Sequence, residues 1–178
     1  QLDMAKMSLL GGLSHVCVVG CGTGNDFNLS YPEVITGVSR HDLHHDSALN
    51  PSFRDAIHTV TRLQVEAITR LARELASTPD LSGGSMLDQT VIVYIGDNGE
   101  QHHSTASDLP ILLIGGRALG LKTEGRSIIY PGISAGAGHR QISNLWNTLG
   151  HLAGAPLNLF GAEGPTRVAE GPLAELML

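Results

Sequence analysis

A chain of 178 residues with 42% apolar side chains and 22 glycines can build a core and reads as one turn-rich α/β domain or part of one, which excludes a disordered or fibrous chain. Its formal charge of −6, with only 11 Lys and Arg and no basic run, argues against a nucleic-acid groove and a polybasic membrane patch. No charged-then-apolar leader and no apolar run near about 18 residues is visible, so neither a signal peptide nor a membrane span is read here, and nine histidines are the unusual feature.

In chain order, residues 1–13 carry Leu2, Met4, Met7, Leu9, Leu10 and Leu13 as a helical stripe that stops near Gly11 and Gly12. Residues 14–20 read as a buried strand, and residues 21–28, rich in Gly, Asn and Asp, as the loop at its carboxyl end. The GCGTG in that loop lacks both the full dinucleotide fingerprint and the Lys-Ser/Thr of a phosphate loop, which sets nucleotide binding aside. Cys17 and Cys21 lie four positions apart, about 13 Å between Cα atoms in a continuing strand and too far for a disulfide unless Gly20 bends the chain. Two buried small hydrophobes are the favoured reading of the pair.

Residues 29–50 form a long connection holding His41, Asp42, His44, His45 and Asp46. Imidazole and carboxylate are donors that zinc and similar ions take, and long connections inside a domain are usually functional; a solvated polar turn is the alternative. Pro51 then opens a helix in which Phe53, Ile57, Val60, Leu63, Ala67, Leu71 and Leu75 recur every three or four residues. It should run to about residue 77, roughly 36–40 Å, with His58 and Glu66 on its surface or boundary.

After a Pro, Ser and Gly loop, residues 90–95 are β-branched and aromatic without polar alternation, the pattern of a strand covered on both faces. The run stops at Gly96 and is followed by Asp97, Asn98, Glu100, His102 and His103. At a strand end these form a first shell for a divalent metal; a solvated polar loop is the alternative. Residues 109–114 read as another buried strand closed by Gly115 and Gly116. Residues 117–138 are loop-dominated around a short SIIY strand. His139 and Arg140 open a helix with Ile142, Leu145, Trp146 and Leu149 on its apolar side, ending near Gly154. His151 on its last turn reads as a satisfied or capping histidine, and the tail from Ala155 as a surface wrap.

SRHDLHHD before a long helix, then MLDQTVIVYIGDNGEQHH, DLPILLIGG and HRQISNLWNTLGHLAG followed by LFG, resembles the C-terminal half of an uncharacterised bacterial family. Its members are usually exported by the twin-arginine route and are grouped with the alkaline phosphatase-like and sulfatase-like superfamily. The likeness covers most of residues 1–162. It implies a three-layer α/β/α sandwich, of which this chain is the C-terminal portion with a mostly parallel sheet, and an exported or periplasmic protein. The superfamily's acidic pair after a core strand matches Asp97 and Asn98, its Asp and His before a long helix match Asp42 with His44 or His45, and its late His matches His139. Its usual Asp-x-x-x-His spacing is not reproduced from Asp42, although His41 and His45, or Asp42 and Asp46, keep a spacing of four. Its first strand and nucleophile lie in an N-terminal half that has no counterpart in these residues.

Two functions stay open. In one, Asp42, His44, His45, Asp97, Asn98, His102, His103 and His139 hold a divalent metal, zinc or calcium, for hydrolysis of a small anionic phosphate or sulfate ester, with Arg117 or Arg140 pairing with the anion. In the other, the chain is a non-catalytic or divergent metal-binding subunit of an exported assembly. In both, the 41–46 and 97–103 clusters converge, and the buried strands imply that an N-terminal segment or another chain completes the sheet.

Overall fold

The strongest periodicity in the sequence becomes the longest element. The computed structural model describes residues 1–21, 29–96, 108–123, 125–157, 160–161 and 171–178. They fall into two compact units, Gln1–Thr78 with Ile95–Ile111, and Pro79–Tyr94 with Leu112–Leu178.

The first unit is helical, with α1 (Leu2–Leu10), α2 (Arg40–Asp46) and α3 (Pro51–Ser77). The Asn50 side chain caps α3 by accepting a hydrogen bond from Ser52 N at 3.0 Å, and Pro51 occupies the first turn, where its missing N–H costs nothing. Ala56, Val60, Leu71, Ala72 and Leu75 form the buried stripe of α3, and α1 and α2 both pack on this helix. Leu43 is the buried residue of α2, 1% exposed. Lys6 Nζ lies 2.6 Å from Glu74 Oε2 and ties α1 to the last turns of α3. That bond, ahead of the cost of burial, raises the Lys6 ammonium above its ordinary value.

The second unit holds all but Ile95 and Ile111 of the two-stranded sheet made by β1 (Val91–Ile95) and β2 (Ile111–Gly115), and its α4 (Ile142–Leu152) packs against the C-terminal segment. The strands are antiparallel. The end of β2 returns to the start of β1, where Gly116 N donates to Leu87 O at 3.0 Å. Gly115 makes this approach with φ +83; a Cβ there would lie 2.6 Å from Leu87 O and would also overlap Thr90 O, so only glycine fits. Gln141 and Asn144 cap α4 reciprocally, and its buried face consists of Asn144, Leu145, Asn147, Thr148 and Leu152. Asn144 Nδ2 donates to Gly171 O at 2.9 Å and Leu173 N donates to Thr148 Oγ1 at 2.8 Å, which fastens the C-terminal segment. Lys122 N to Leu176 O and Leu178 N to Gly120 O, each 2.8 Å, complete the seam beside buried Leu121 and Leu173.

This architecture overturns the expectation of a three-layer α/β/α sandwich of alkaline phosphatase-like type with a mostly parallel sheet: the described residues form four α-helices and a two-stranded antiparallel sheet. Parallel neighbours need a crossover, usually through a helix, and among the described residues no helix lies between β1 and β2. Neither strand is buried on both faces, since β1 is half-buried throughout and Ile111 and Leu112 of β2 are each 37% exposed. A continuous apolar run is a weak guide to burial on two faces.

Residues 14–20 form no strand among the described residues: His15 is a bend, the Ser14 hydroxyl bonds both Val16 N and Val16 O, and Val16 and Val18 are 74% and 91% exposed. The SIIY segment forms no strand among the described residues either, with Ile129 90% exposed. Cys17 and Cys21 are free and exposed, which corrects the reading of two buried small hydrophobes. Among the described residues no helix is long and apolar enough to cross a membrane.

Candidate metal centre

The His-rich run, read from sequence as part of a long connection, folds as α2. The chain approaches it through an antiparallel bridge between Ser30 and Ser39, and Arg40 N donates to Leu29 O at 2.9 Å. Ser39 is the N-cap. Its Oγ accepts from Asp42 N at 3.1 Å and donates to Asp42 Oδ2 at 2.5 Å. A hydroxyl followed three residues later by a carboxylate satisfies the first turn, so the Asp42 side chain serves the cap and holds the start of α2 in place.

Leu43 sets the rotation of this short helix. With about 100° between successive residues, positions two before and two after a buried side chain both point away from the core, and these are His41 and His45. One turn apart, the rings meet: His45 Nε2 lies 2.9 Å from His41 Nε2, with centroids 4.5 Å apart and ring planes inclined at 61°. In the absence of an ion one ring must donate and the other accept, which two neutral tautomers allow. The same geometry suits a shared ion. Two nitrogens each about 2.0–2.1 Å from one metal stand about 2.9 Å apart at a right angle and about 3.4 Å apart at a tetrahedral angle.

Comparison with family models, with curated proteins and with solved structures finds no match in any of the three. The site therefore rests on its own geometry.

His44 is half-buried one position from the pair, and its carbonyl accepts from Ser47 Oγ at 3.3 Å. Asp97, Asn98, His102 and His103, together with Glu100, lie outside the described residues, so the expected convergence of 97–103 on the histidines of α2 does too. Among the described residues no group of three or more His, Cys, Asp or Glu is placed to hold a metal ion. His139 belongs to the other unit, where its Nδ1 lies 3.0 Å from Pro131 O. His41 was in the sequence cluster but outside the proposed ligand set. The signal that singles it out is its spacing of four from His45 behind an N-capping serine, a helical spacing that puts both rings on one face.

The cations singled out as anion partners are engaged in the second unit. Arg117 Nε lies 3.3 Å from Asp88 Oδ1, and Arg140 Nη1 donates to His139 O at 2.8 Å. Asp88 also accepts from Ser85 N at 2.9 Å and Ser85 Oγ at 2.8 Å; these bonds come first, and Arg117 last, in holding its carboxyl below the ordinary value. A second charged group surrounds Tyr130. Its hydroxyl is buried without a well-formed hydrogen bond, and burial first, then the nearby Glu175 carboxylate, pushes its pKa far up. Burial acts to raise Glu175, but its backbone bond, Tyr130 and the guanidinium groups of Arg140 and Arg126 outweigh that and hold it below the usual carboxylate range. Arg126 Nη2 bonds Glu175 O at 2.7 Å and Lys122 O at 3.0 Å, so this cluster locks the C-terminal turn rather than opening toward a ligand.

On the exposed side of α3, Arg62, Arg70 and Arg73 line a groove of about 700 Å³ with His58. Arg62 pairs across one turn with Glu66 at 3.8 Å, both side chains being well exposed. Pairs of this kind contribute little, and the face reads as solvated.

Proposed function

We propose that this chain is a metal-binding protein whose site is nucleated by His41 and His45, with further donors drawn from Asp97, Asn98, His102 and His103. The observation that carries this reading is the 2.9 Å approach of the two Nε2 atoms on an N-capped helix. Paired imidazoles favour a zinc-like transition ion over calcium, which takes oxygen ligands. A bound ion of this kind supplies Lewis-acid polarisation and a lowered pKa for coordinated water. The chain's own contribution is to fix two donors: Leu43 anchors the helix, the Ser39–Asp42 cap holds its first turn, and the spacing of four aims both rings at one point.

Of the two functions, the non-catalytic metal-binding subunit has the better support, because Arg117 and Arg140, the residues chosen to hold an anionic ester, are both in contact with protein groups. Hydrolysis of phosphate or sulfate esters is the activity to assay on the metal-loaded protein. The exposed Val16 and Val18 support a third element of the reading, that an N-terminal segment or another chain covers residues 14–20.

Calorimetric titration of the chain with zinc tests the site. His41→Ala and His45→Ala should each weaken binding by about tenfold or more, and His58→Ala, on the exposed face of α3, should leave it unchanged. Equal zinc affinity in all four proteins would refute the assignment.

A further inference from the structure

The buried face of α4 is more polar than core packing alone requires. Asn144, Asn147 and Thr148 are 1%, 2% and 0% exposed, and buried polar side chains need hydrogen-bond partners. The main chain of residues 171–178 supplies partners: Asn144 Nδ2 and Asn147 Nδ2 donate to Gly171 O at 2.9 and 3.3 Å, and Leu173 N donates to Thr148 Oγ1 at 2.8 Å. Residues 120–126 hold the rest of the segment. Lys122 N donates to Leu176 O and Leu178 N to Gly120 O, Leu121 and Met177 form an antiparallel bridge, and Arg126 Nη2 donates to Glu175 O at 2.7 Å.

The segment is therefore gripped at its own backbone atoms, around a single 3₁₀ turn at Ala174–Leu176. Of its eight side chains one is buried, Leu173, while Ala174 and Leu178 are exposed and the others half-buried. Glu175 adds a charged contact. Burial acts to raise its carboxyl, but its backbone bond, Tyr130 and the guanidinium groups of Arg140 and Arg126 hold it below the ordinary value. Main-chain hydrogen bonds for hold, with a pocket or a charge for chosen side chains, is a recurring way in which folded domains recognise peptides.

We infer that α4 and residues 120–126 form a peptide-binding cleft that the chain's own C-terminal segment fills, and that a segment of a partner protein with a leucine followed two positions later by a glutamate displaces it. The ligand class is read from the occupant: a leucine for the Leu173 position, a carboxylate for the Glu175 position, and otherwise backbone. The tethered segment acts at an effective concentration on the order of millimolar. An identical tail on a second copy gains nothing over it, so the competitor belongs to another protein whose segment fits better. The own tail is then an autoinhibitory occupant that sets the threshold for that partner.

The probe is a fluorescein-labelled peptide of sequence GPLAELML, titrated by anisotropy against three full-length proteins: wild type, Leu173→Asp, and Leu173→Asp with Thr148→Val. Leu173→Asp disables the tail and leaves the cleft intact, so it should bind the peptide at least about tenfold more tightly than the wild type, where the tail competes. Adding Thr148→Val removes an acceptor in the cleft and should weaken that binding about tenfold. A peptide that itself carries Leu173→Asp should not bind. No binding to a Leu173→Asp protein that still shows a cooperative urea melt, or equal binding by all three proteins, would overturn the cleft. Should Leu173→Asp fail to fold, the wild-type chain with a protease site inserted before Gly171 is cut after folding. Labelled peptide replacing the cut tail supports the cleft, whereas a tail that stays bound without exchanging, or a cut chain that unfolds, makes the segment a fixed part of the fold and overturns it.

Discussion

Thr148 is fully buried, and its hydroxyl both donates to Asn144 O at 2.8 Å and accepts from Leu173 N at 2.8 Å. Thr148→Val keeps the shape but removes the acceptor. The Leu173 N–H is then left in a residue only 5% exposed. An unsatisfied buried donor costs about 1–3 kcal/mol, whereas a simple exchange of hydrogen bonds with water would cost less. For a chain of this size each kcal/mol moves the melting temperature by about 2–4 °C, so thermal unfolding should fall by about 2–12 °C. The sharper readout is hydrogen exchange at Leu173, which should accelerate in Thr148→Val and stay slow in Thr148→Ser, where the hydroxyl is retained. A Leu173 amide protected equally in the wild type and the Val protein would refute the claim that this bond fastens the C-terminal segment.

Gly115→Ala should destabilise the second unit strongly, because the new methyl meets the Leu87 and Thr90 carbonyls, while Gly83→Ala, with nothing within 4 Å of the added carbon, should cost only backbone strain; urea melts of the two proteins compare them. Ser39→Ala should cost about 1 kcal/mol by removing the cap of α2 and should weaken zinc binding indirectly, whereas Ser39→Thr should restore both. Lys6 is held above its ordinary value of 10.5, so its contribution is fully present below that pH and is lost as pH rises through the folded value. The urea midpoint should therefore fall at alkaline pH, and Lys6→Met should remove that part of the dependence.

The helices were legible because their signals are local. Pro51 after Asn50 marks the start of α3, and the recurrence from Phe53 to Leu75 carries it to Ser77, where the helix ends. The last helix was also legible, although it begins at Ile142 after the Gln141 cap rather than at His139. The sheet was not legible. An apolar run such as residues 90–95 says that a segment is extended and at least partly covered, but the direction of its neighbour depends on how the intervening chain returns, which no local pattern encodes. The stretches 14–20 and 127–130 were read as strands for the same reason, and neither forms one among the described residues. Within the site, the donor types of 41–46 were evident, but treating the run as a connection hid the helical spacing that selects His41 and His45 and gives Asp42 to the cap. The test of that selection at atomic resolution is ¹⁵N NMR of the imidazole nitrogens during a zinc titration. The account predicts that the Nε2 resonances of His41 and His45 shift together and saturate at one zinc per chain, while that of His58 stays in place. Unmoved Nε2 resonances of His41 and His45 at saturating zinc would contradict it.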